Sequence, residues 1–124
     1  MNICVIGTGY VGLVTGVVFA DLGNDVVCVD KDESKIARLH ANIMPIYEPG
    51  LDALVKTNVD AGRLSFSTDV TEAVKGCDAV FIAVGTPSRR GDGHADLSYV
   101  YAAAEELARA IDPRTVVVTK STVP

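Results

Sequence analysis

Residues 3–12 read ICVIGTGYVG, an apolar run followed at once by three glycines spaced G-x-G-x-x-G. The apolar run predicts a buried strand, and the residues after the second glycine predict a helix. Gly7 permits a tight turn after the strand, and Gly9 lets the backbone approach a pyrophosphate at the N-terminus of the helix. Gly12 allows the helix to pack closely against the sheet. This stretch therefore predicts a βαβ unit that binds a dinucleotide.

A second signal is the acidic residue Asp30, which follows the apolar run Val26–Val29. A carboxylate at the end of the second strand accepts hydrogen bonds from the hydroxyls of an adenosine ribose. A 2′-phosphate would meet this charge at short range, so NAD is favoured over NADP, although Lys31 and Lys35 reduce the repulsion. The alternative is a glycine turn that binds no nucleotide. The combination of strand, glycines, helix and spaced acid disfavours that alternative.

The composition limits the remaining function classes. The 124 residues fit one domain, and a hydrophobic fraction of 48% predicts a packed globule in which no apolar run is long enough to span a membrane. The net charge of -5 disfavours nucleic acid and anionic membranes as partners. The N-terminus enters a strand without a signal-type segment, which predicts a cytoplasmic location. Cys4, Cys28 and Cys77 lie in or beside apolar segments, so we expect buried, unreactive thiols and no metal site.

The alternation of apolar strands and amphipathic helices predicts an α/β fold with a doubly wound parallel sheet. Right-handed crossovers give the strand order 3-2-1-4-5, with the cofactor across the carboxyl ends of strands one and four. Gly23 and Gly76 are predicted helix stops. The predicted strands cover residues 2–6, 26–30, 64–67, 79–84 and 115–119, and the predicted helices cover residues 10–22, 33–40, 50–57, 70–75 and 97–110.

The end of the sheet and the loop before it add two expectations. Residues 86–95 follow the fourth strand at the carboxyl edge of the sheet, where ligands bind, and Asp96 is predicted to cap the next helix. A sheet of this kind usually continues past its fifth strand, because an uncovered fifth strand exposes a pairing edge. We therefore expect residues 1–124 to be an incomplete N-terminal domain, truncated after strand five.

Five motifs carry a resemblance to a known family: GTGYVG at 7–12, PIYEPGL at 45–51, VGTP at 84–87, ADLSYV at 95–100 and KSTVP at 120–124. With these motifs the whole chain resembles the N-terminal part of the NAD-binding domain of the UDP-glucose/GDP-mannose dehydrogenase family. The resemblance implies a Rossmann-type fold, NAD as cofactor, a sugar-nucleotide substrate and a homo-oligomeric full-length enzyme. Family members oxidise the primary alcohol of the sugar to a carboxylate in two hydride transfers to two NAD molecules. Their nucleophilic cysteine lies in their second half, so we expect this chain alone to be inactive.

The resemblance also implies roles for single residues. Lys35 is expected beside the ribose-binding Asp30, although its helix also fits a solvated face. Thr86 is expected near the cofactor, and Thr122 matches a threonine near the nicotinamide that assists catalysis by positioning a water. The implied cofactor-binding residues are Gly7, Gly9, Tyr10, Val11, Gly12, Asp30, Lys35, Thr86 and Thr122.

Two questions about function stay open at this stage. The overall resemblance favours UDP-glucose as the substrate and UDP-glucuronate as the product. GDP-mannose and a UDP-amino sugar are the alternatives, because the residues that read the base and the sugar lie outside this chain. A hypothesis of a different class is a non-catalytic binding module that responds to NAD.

Overall fold

The computed structural model describes residues 1–85 and 96–120. Strands and helices alternate there as predicted, and their ends differ from the predicted ends by three residues at most. No helix in these two ranges is both long enough and apolar enough to cross a membrane. In chain order the elements are β1 Asn2–Ile6, α1 Tyr10–Asp21, β2 Asp25–Val29, α2 Glu33–His40, α3 Leu51–Asp60, β3 Leu64–Ser67, α4 Val70–Ala73, β4 Ala79–Ile82, α5 Ser98–Ala108 and β5 Val116–Thr119.

The strands form one parallel sheet in the order β3-β2-β1-β4-β5, which confirms the predicted fold class and strand order. Strand β1 lies in the centre, where Cys4 is opposite Val27 of β2 and Val80 of β4. A central parallel strand needs apolar cover on both of its faces. Successive side chains of β1 point to opposite faces, and they enter two separate apolar clusters.

The first cluster lies under α1, α2 and α3. Ile3 and Val5 of β1 pack there with Leu13 and Val17 of α1. The second cluster lies under α4 and α5, where Cys4 and other strand residues meet side chains of both helices. Both faces of β1 are therefore buried. A ligand can approach this strand only at its ends, where the loops begin.

A stripe of small residues brings α1 close to the sheet. A Cβ added at Gly16 would lie 2.5 Å from Sγ of Cys28, and Ala20 is fully buried. The helix ends before Gly23, which has a positive φ of 105° and donates its N–H to the carbonyl of Ala20 at 3.0 Å. Gly76 also has a positive φ, of 73°, so both predicted stops are confirmed.

A buried amide joins α1, α3 and the turn before β3. Asn58 is fully buried, and its Nδ2 donates to the carbonyl of Leu54 at 2.9 Å and to Oδ1 of Asp21 at 3.2 Å. Its Oδ1 accepts from Nη2 of Arg63 at 3.0 Å. Nε of Arg63 also donates to the carbonyl of Ala20 at 3.0 Å, which places a cation at the C-terminal end of α1.

Asn58→Ala is expected to lower the free energy of unfolding by about 2 kcal/mol, because it leaves the hydrogen-bonding groups of Asp21 and Arg63 without this partner. Urea unfolding followed by circular dichroism measures the change. Thr57→Ala is the matched control, since Thr57 is exposed on the same helix. Equal unfolding midpoints for the two variants would contradict a stabilising role for the amide.

Candidate functional site

The carboxyl ends of β1, β2 and β4 surround a cavity of ≈ 540 Å³. The chain leaves β1 between its two neighbours at this point, which is where ligands bind in open parallel sheets. The volume lies in the range of small-molecule sites. The lining comes from three loops and from α5: residues 7–9 after β1, 30–32 after β2, 83–85 after β4, and Tyr99, Ala102, Ala103 and Glu106 of α5, among others.

The turn after β1 accepts only glycine at its first position. Gly7 has a φ of 110°, a conformation that side chains rarely adopt. An added Cβ would also overlap the carbonyl oxygen of Ala83. The N–H of Gly7 donates to the carbonyl of Val29 at 2.7 Å, so the turn is held against the end of β2.

The other two glycines of the turn differ in their surroundings. A Cβ at Gly12 would overlap the carbonyl oxygen of Gly7, so the first turn of α1 packs on the backbone of the glycine turn. At Gly9 an added Cβ meets no atom of the described residues within 4 Å, and Gly9 lines the cavity. Its missing side chain thus leaves space on the ligand side.

The N-terminus of α1 opens on the same cavity. Gly9 is the N-cap residue and supplies no side-chain hydrogen bond. The first N–H groups of a helix have no intrahelical acceptor, and the helix dipole makes this end positive. Tyr10 and Val11 form the start of the helix, and their side chains are largely exposed. The arrangement suits a bound pyrophosphate, which backbone N–H groups would hold.

Asp30 is fixed by hydrogen bonds from the glycine turn. Its Oδ2 accepts from Oγ1 of Thr8 at 2.7 Å and from the N–H of Thr8 at 3.1 Å. Its Oδ1 accepts from the N–H of Asp32 at 2.9 Å. Thr8 is fully buried, whereas 17% of the Asp30 side chain is exposed toward solvent. Sequence reasoning missed Thr8, although a hydroxyl inside the glycine turn was a usable signal.

Lys35 lies beside Asp30, with Nζ 4.0 Å from its Oδ2. The start of α2 brings it there. Oδ1 of Asp32 caps this helix by accepting from Oγ of Ser34 at 2.6 Å and from the N–H of Lys35 at 3.3 Å. The hydrogen bond from the Ser34 hydroxyl, followed by that from the Lys35 N–H, lowers the pKa of the Asp32 carboxyl. The cap fixes the first turn of α2, and this turn places the Lys35 side chain beside Asp30.

Helix α5 forms the outer wall of the cavity, which sequence reasoning did not predict. The lining residues Tyr99, Ala103 and Glu106 recur at three- to four-residue spacing and share one face of the helix. Oε2 of Glu106 lies 2.6 Å from Nζ of Lys31. An ion pair therefore connects α5 to Lys31, the residue that follows Asp30.

The structure brings together Gly7, Gly9, Gly12, Asp30 and Lys35. Thr86 and Thr122 lie outside the described residues, so their roles stay predictions.

Helix α5 begins at Ser98, one residue later than predicted. Leu97 and not Asp96 occupies the N-cap position, so the predicted cap is placed one residue too early. The side chain of Asp96 still accepts from the N–H of Ser98, the first residue of the helix, at 2.9 Å.

The three cysteines are free and buried, as predicted. Burial raises the pKa of the Cys28 thiol to about 12. Burial also raises the pKa of Cys4 and, with a smaller effect from Asp78, that of Cys77. Since the thiolate is the reactive form, none of them suits a nucleophile. In the described part of the chain, no group of histidine, cysteine or acidic side chains is arranged to hold a metal ion.

The raised pKa values predict a loss of stability at alkaline pH. The folded protein keeps the Cys28 proton up to about 12, whereas the unfolded chain releases it near 9.0. The stabilisation that the protonated Cys28 thiol provides is therefore fully present below pH 9 and is lost as the pH rises toward 12, by up to about 1.4 kcal/mol per pH unit. Urea unfolding at several pH values above 8 measures the slope. Cys28→Ala should flatten it, and an unchanged slope would contradict the assignment.

Comparisons with known proteins agree with this geometry. The model of the UDP-glucose/GDP-mannose dehydrogenase family, NAD binding domain, matches residues 1–124. The UDP-glucose 6-dehydrogenase of Rhizobium meliloti (strain 1021) is 68% identical over 124 residues, which are 100% of this chain and 28% of that protein. The UDP-glucose 6-dehydrogenase of Pseudomonas aeruginosa is 51% identical, and the match covers 27% of its length.

Two solved structures have the same fold over nearly the whole chain. A UDP-glucose dehydrogenase from Pyrobaculum islandicum is 49% identical, with a TM-score of 0.91, over 98% of this chain and 29% of that one. A GDP-mannose dehydrogenase from Pseudomonas aeruginosa is 40% identical, with a TM-score of 0.93, over 99% of this chain and 29% of that one. The chain thus spans less than a third of the length of these relatives. Since the family model for the NAD binding domain matches every residue from 1 to 124, the chain belongs to the UDP-glucose/GDP-mannose dehydrogenase family.

Proposed function

We propose that this chain is the NAD-binding portion of a UDP-glucose 6-dehydrogenase. The observation that carries the NAD-binding part of the proposal is the cavity where the N-terminus of α1, which has no side-chain cap, meets the fixed carboxylate of Asp30. A positive helix end and a carboxylate at the end of the second strand match the two polar parts of an adenine dinucleotide, the pyrophosphate and the ribose.

The residues present fit NAD on several grounds. Gly9 leaves the ligand side of the turn open, and the first N–H groups of α1 would hold the pyrophosphate without a cationic side chain. Asp30 already receives donors from Thr8 and Asp32, and the part of its carboxylate that is exposed would accept the ribose hydroxyls. When bound, NAD supplies an acceptor for hydride.

The whole enzyme is proposed to oxidise UDP-glucose to UDP-glucuronate with two NAD. Support for this substrate is the identity of 68% to the UDP-glucose 6-dehydrogenase of Rhizobium meliloti, against 40% to a GDP-mannose dehydrogenase and 35% to the UDP-D-ManNAc dehydrogenase of Pyrococcus horikoshii. A GDP-mannose or UDP-amino-sugar dehydrogenase is the alternative, as is a non-catalytic NAD-responsive module. Homo-oligomeric assembly and a cytoplasmic location stay predictions.

We assign catalysis to a longer protein and an assisting part to this chain. The three cysteines of this chain are buried and their pKa values are raised, which supports the proposal that the nucleophilic cysteine of the enzyme lies outside this chain. Thr122 is proposed to position water near the nicotinamide, and Thr86 is proposed to lie near the cofactor. A hydroxyl both donates and accepts hydrogen bonds, which suits holding a water. Residues 1–124 alone are therefore proposed to be inactive.

Titration calorimetry of this chain with NAD and with NADP tests the cofactor site. The expected result is saturable binding of NAD at a dissociation constant at least about ten-fold lower than that for NADP, since the 2′-phosphate meets the Asp30 charge. Absence of binding to the folded chain would overturn the proposed site. In the longer enzyme, NADH formation with UDP-glucose, GDP-mannose and UDP-N-acetylmannosamine identifies the substrate, and NADH formation by residues 1–124 alone would overturn the assignment of catalysis to the remainder.

A further inference from the structure

Glu106 of α5 and Lys31, the residue after Asp30, both line the cavity and form an ion pair there. Oε2 of Glu106 and Nζ of Lys31 are 2.6 Å apart. That carboxylate oxygen is buried and makes no hydrogen bond within the described residues, so the ion pair is what compensates its charge. The contact joins α5 to the residues after β2, which lie far from it along the chain.

Lys31 is well placed to attract a phosphate. It follows Asp30 directly and lines the same cavity. In proteins that bind NADP, a basic side chain near this position accommodates the 2′-phosphate on the adenosine ribose. A free ammonium group here would therefore favour NADP and work against the repulsion from Asp30.

Among the residues that the structure describes (1–85 and 96–120), no cation that lines the cavity is without an acidic side chain beside it. The charged residues that line the described cavity are Asp30, Lys31, Asp32, Lys35 and Glu106. Lys35 lies 4.0 Å from Asp30, and Lys31 is paired with Glu106. Asp32 is occupied as the cap of α2. Each lysine thus has an acid beside it, and the acid beside Lys31 comes from a different element.

We propose that Glu106 is a specificity-determining residue, which holds the Lys31 ammonium group and so prevents it from attracting the 2′-phosphate of NADP. The inference rests on the proposed cofactor site and extends it. Asp30 acts against NADP by direct repulsion, whereas Glu106 acts by removing an attraction. Selectivity for NAD therefore depends on α5 as well as on β2.

The test compares NAD and NADP, which differ only in the 2′-phosphate, so a general change in packing moves both affinities and leaves their ratio unchanged. Dissociation constants are measured by calorimetry on the wild-type chain and on the Glu106→Gln, Glu105→Gln and Lys31→Gln/Glu106→Gln variants. Glu105 is exposed on the same helix and does not line the cavity, so its variant removes the same charge without releasing Lys31.

Glu106→Gln is expected to raise the affinity for NADP relative to NAD by about three- to ten-fold at low salt, with a smaller rise at 0.5 M salt because the interaction is screened. Glu105→Gln is expected to change the ratio by less than two-fold, and the double variant is expected to lose the gain. An unchanged ratio in Glu106→Gln, or a gain that survives in the double variant, would overturn the inference while leaving NAD binding intact. Failure of the folded wild-type chain to bind either nucleotide would overturn both the inference and the proposed site.

Discussion

Asp30→Ala is expected to weaken NAD binding by about ten- to hundred-fold, the range for losing hydrogen bonds to a charged acceptor. The change removes the proposed acceptor of the ribose hydroxyls. It also removes the charge that opposes NADP, so the preference for NAD is expected to narrow. Titration calorimetry with the two nucleotides measures both effects.

Two controls separate the loss of this interaction from a loss of structure. Asp25→Ala removes the same charge from the exposed other end of β2, and we expect it to leave NAD binding unchanged. Asp30→Ala also leaves the buried hydroxyl of Thr8 without its partner, so we expect a loss of stability of about 1–2 kcal/mol that thermal unfolding will report. Equal NAD affinity in the wild-type chain and in folded Asp30→Ala would show that the carboxylate does not hold the ribose.

Gly12→Ala is expected to destabilise the fold by about 3 kcal/mol or more and to abolish NAD binding, because the added carbon overlaps backbone atoms. The Cβ would overlap the carbonyl oxygen of Gly7 and lie 2.8 Å from its carbonyl carbon. Relief of this overlap requires α1 to move away from the turn. Urea unfolding and NAD titration measure the two effects.

Gly9→Ala is the matched comparison, because it adds the same methyl group to another glycine of the same G-x-G-x-x-G motif. Its backbone is extended, with φ -75° and ψ -167°, and the described residues leave the added Cβ free of contacts within 4 Å. We expect its stability to lie within about 0.5 kcal/mol of wild type, the usual range for surface changes, whereas NAD affinity falls about ten-fold because the carbon occupies the ligand side. Similar loss of stability in both variants would contradict this division of roles between the two glycines.

Much of the fold was predictable from local sequence. Period and length of the apolar runs separate strands from helices, and the handedness of crossovers then leaves few strand orders. Element ends were less accurate, as at α3, which continues to Asp60 where residue 57 was the predicted end. The helix ends where Gly62 and the Asn58–Arg63 contacts allow the chain to turn, and those contacts involve α1.

In the candidate site, too, some residues were predictable from the sequence and others were not. The glycines of the turn and Asp30 were predictable because each has a backbone or charge requirement that appears in the order of residues along one βαβ unit. The sequence by itself therefore determined the fold class, the strand order and the family, and it predicted where a dinucleotide would bind. Only the tertiary structure decided that Thr8 holds Asp30 and that Glu106 pairs with Lys31. Thr8 lies 22 positions from Asp30, and Glu106 comes from a helix beyond two further strands, so packing of the sheet and not local pattern brings these groups within hydrogen-bonding and ion-pairing distance.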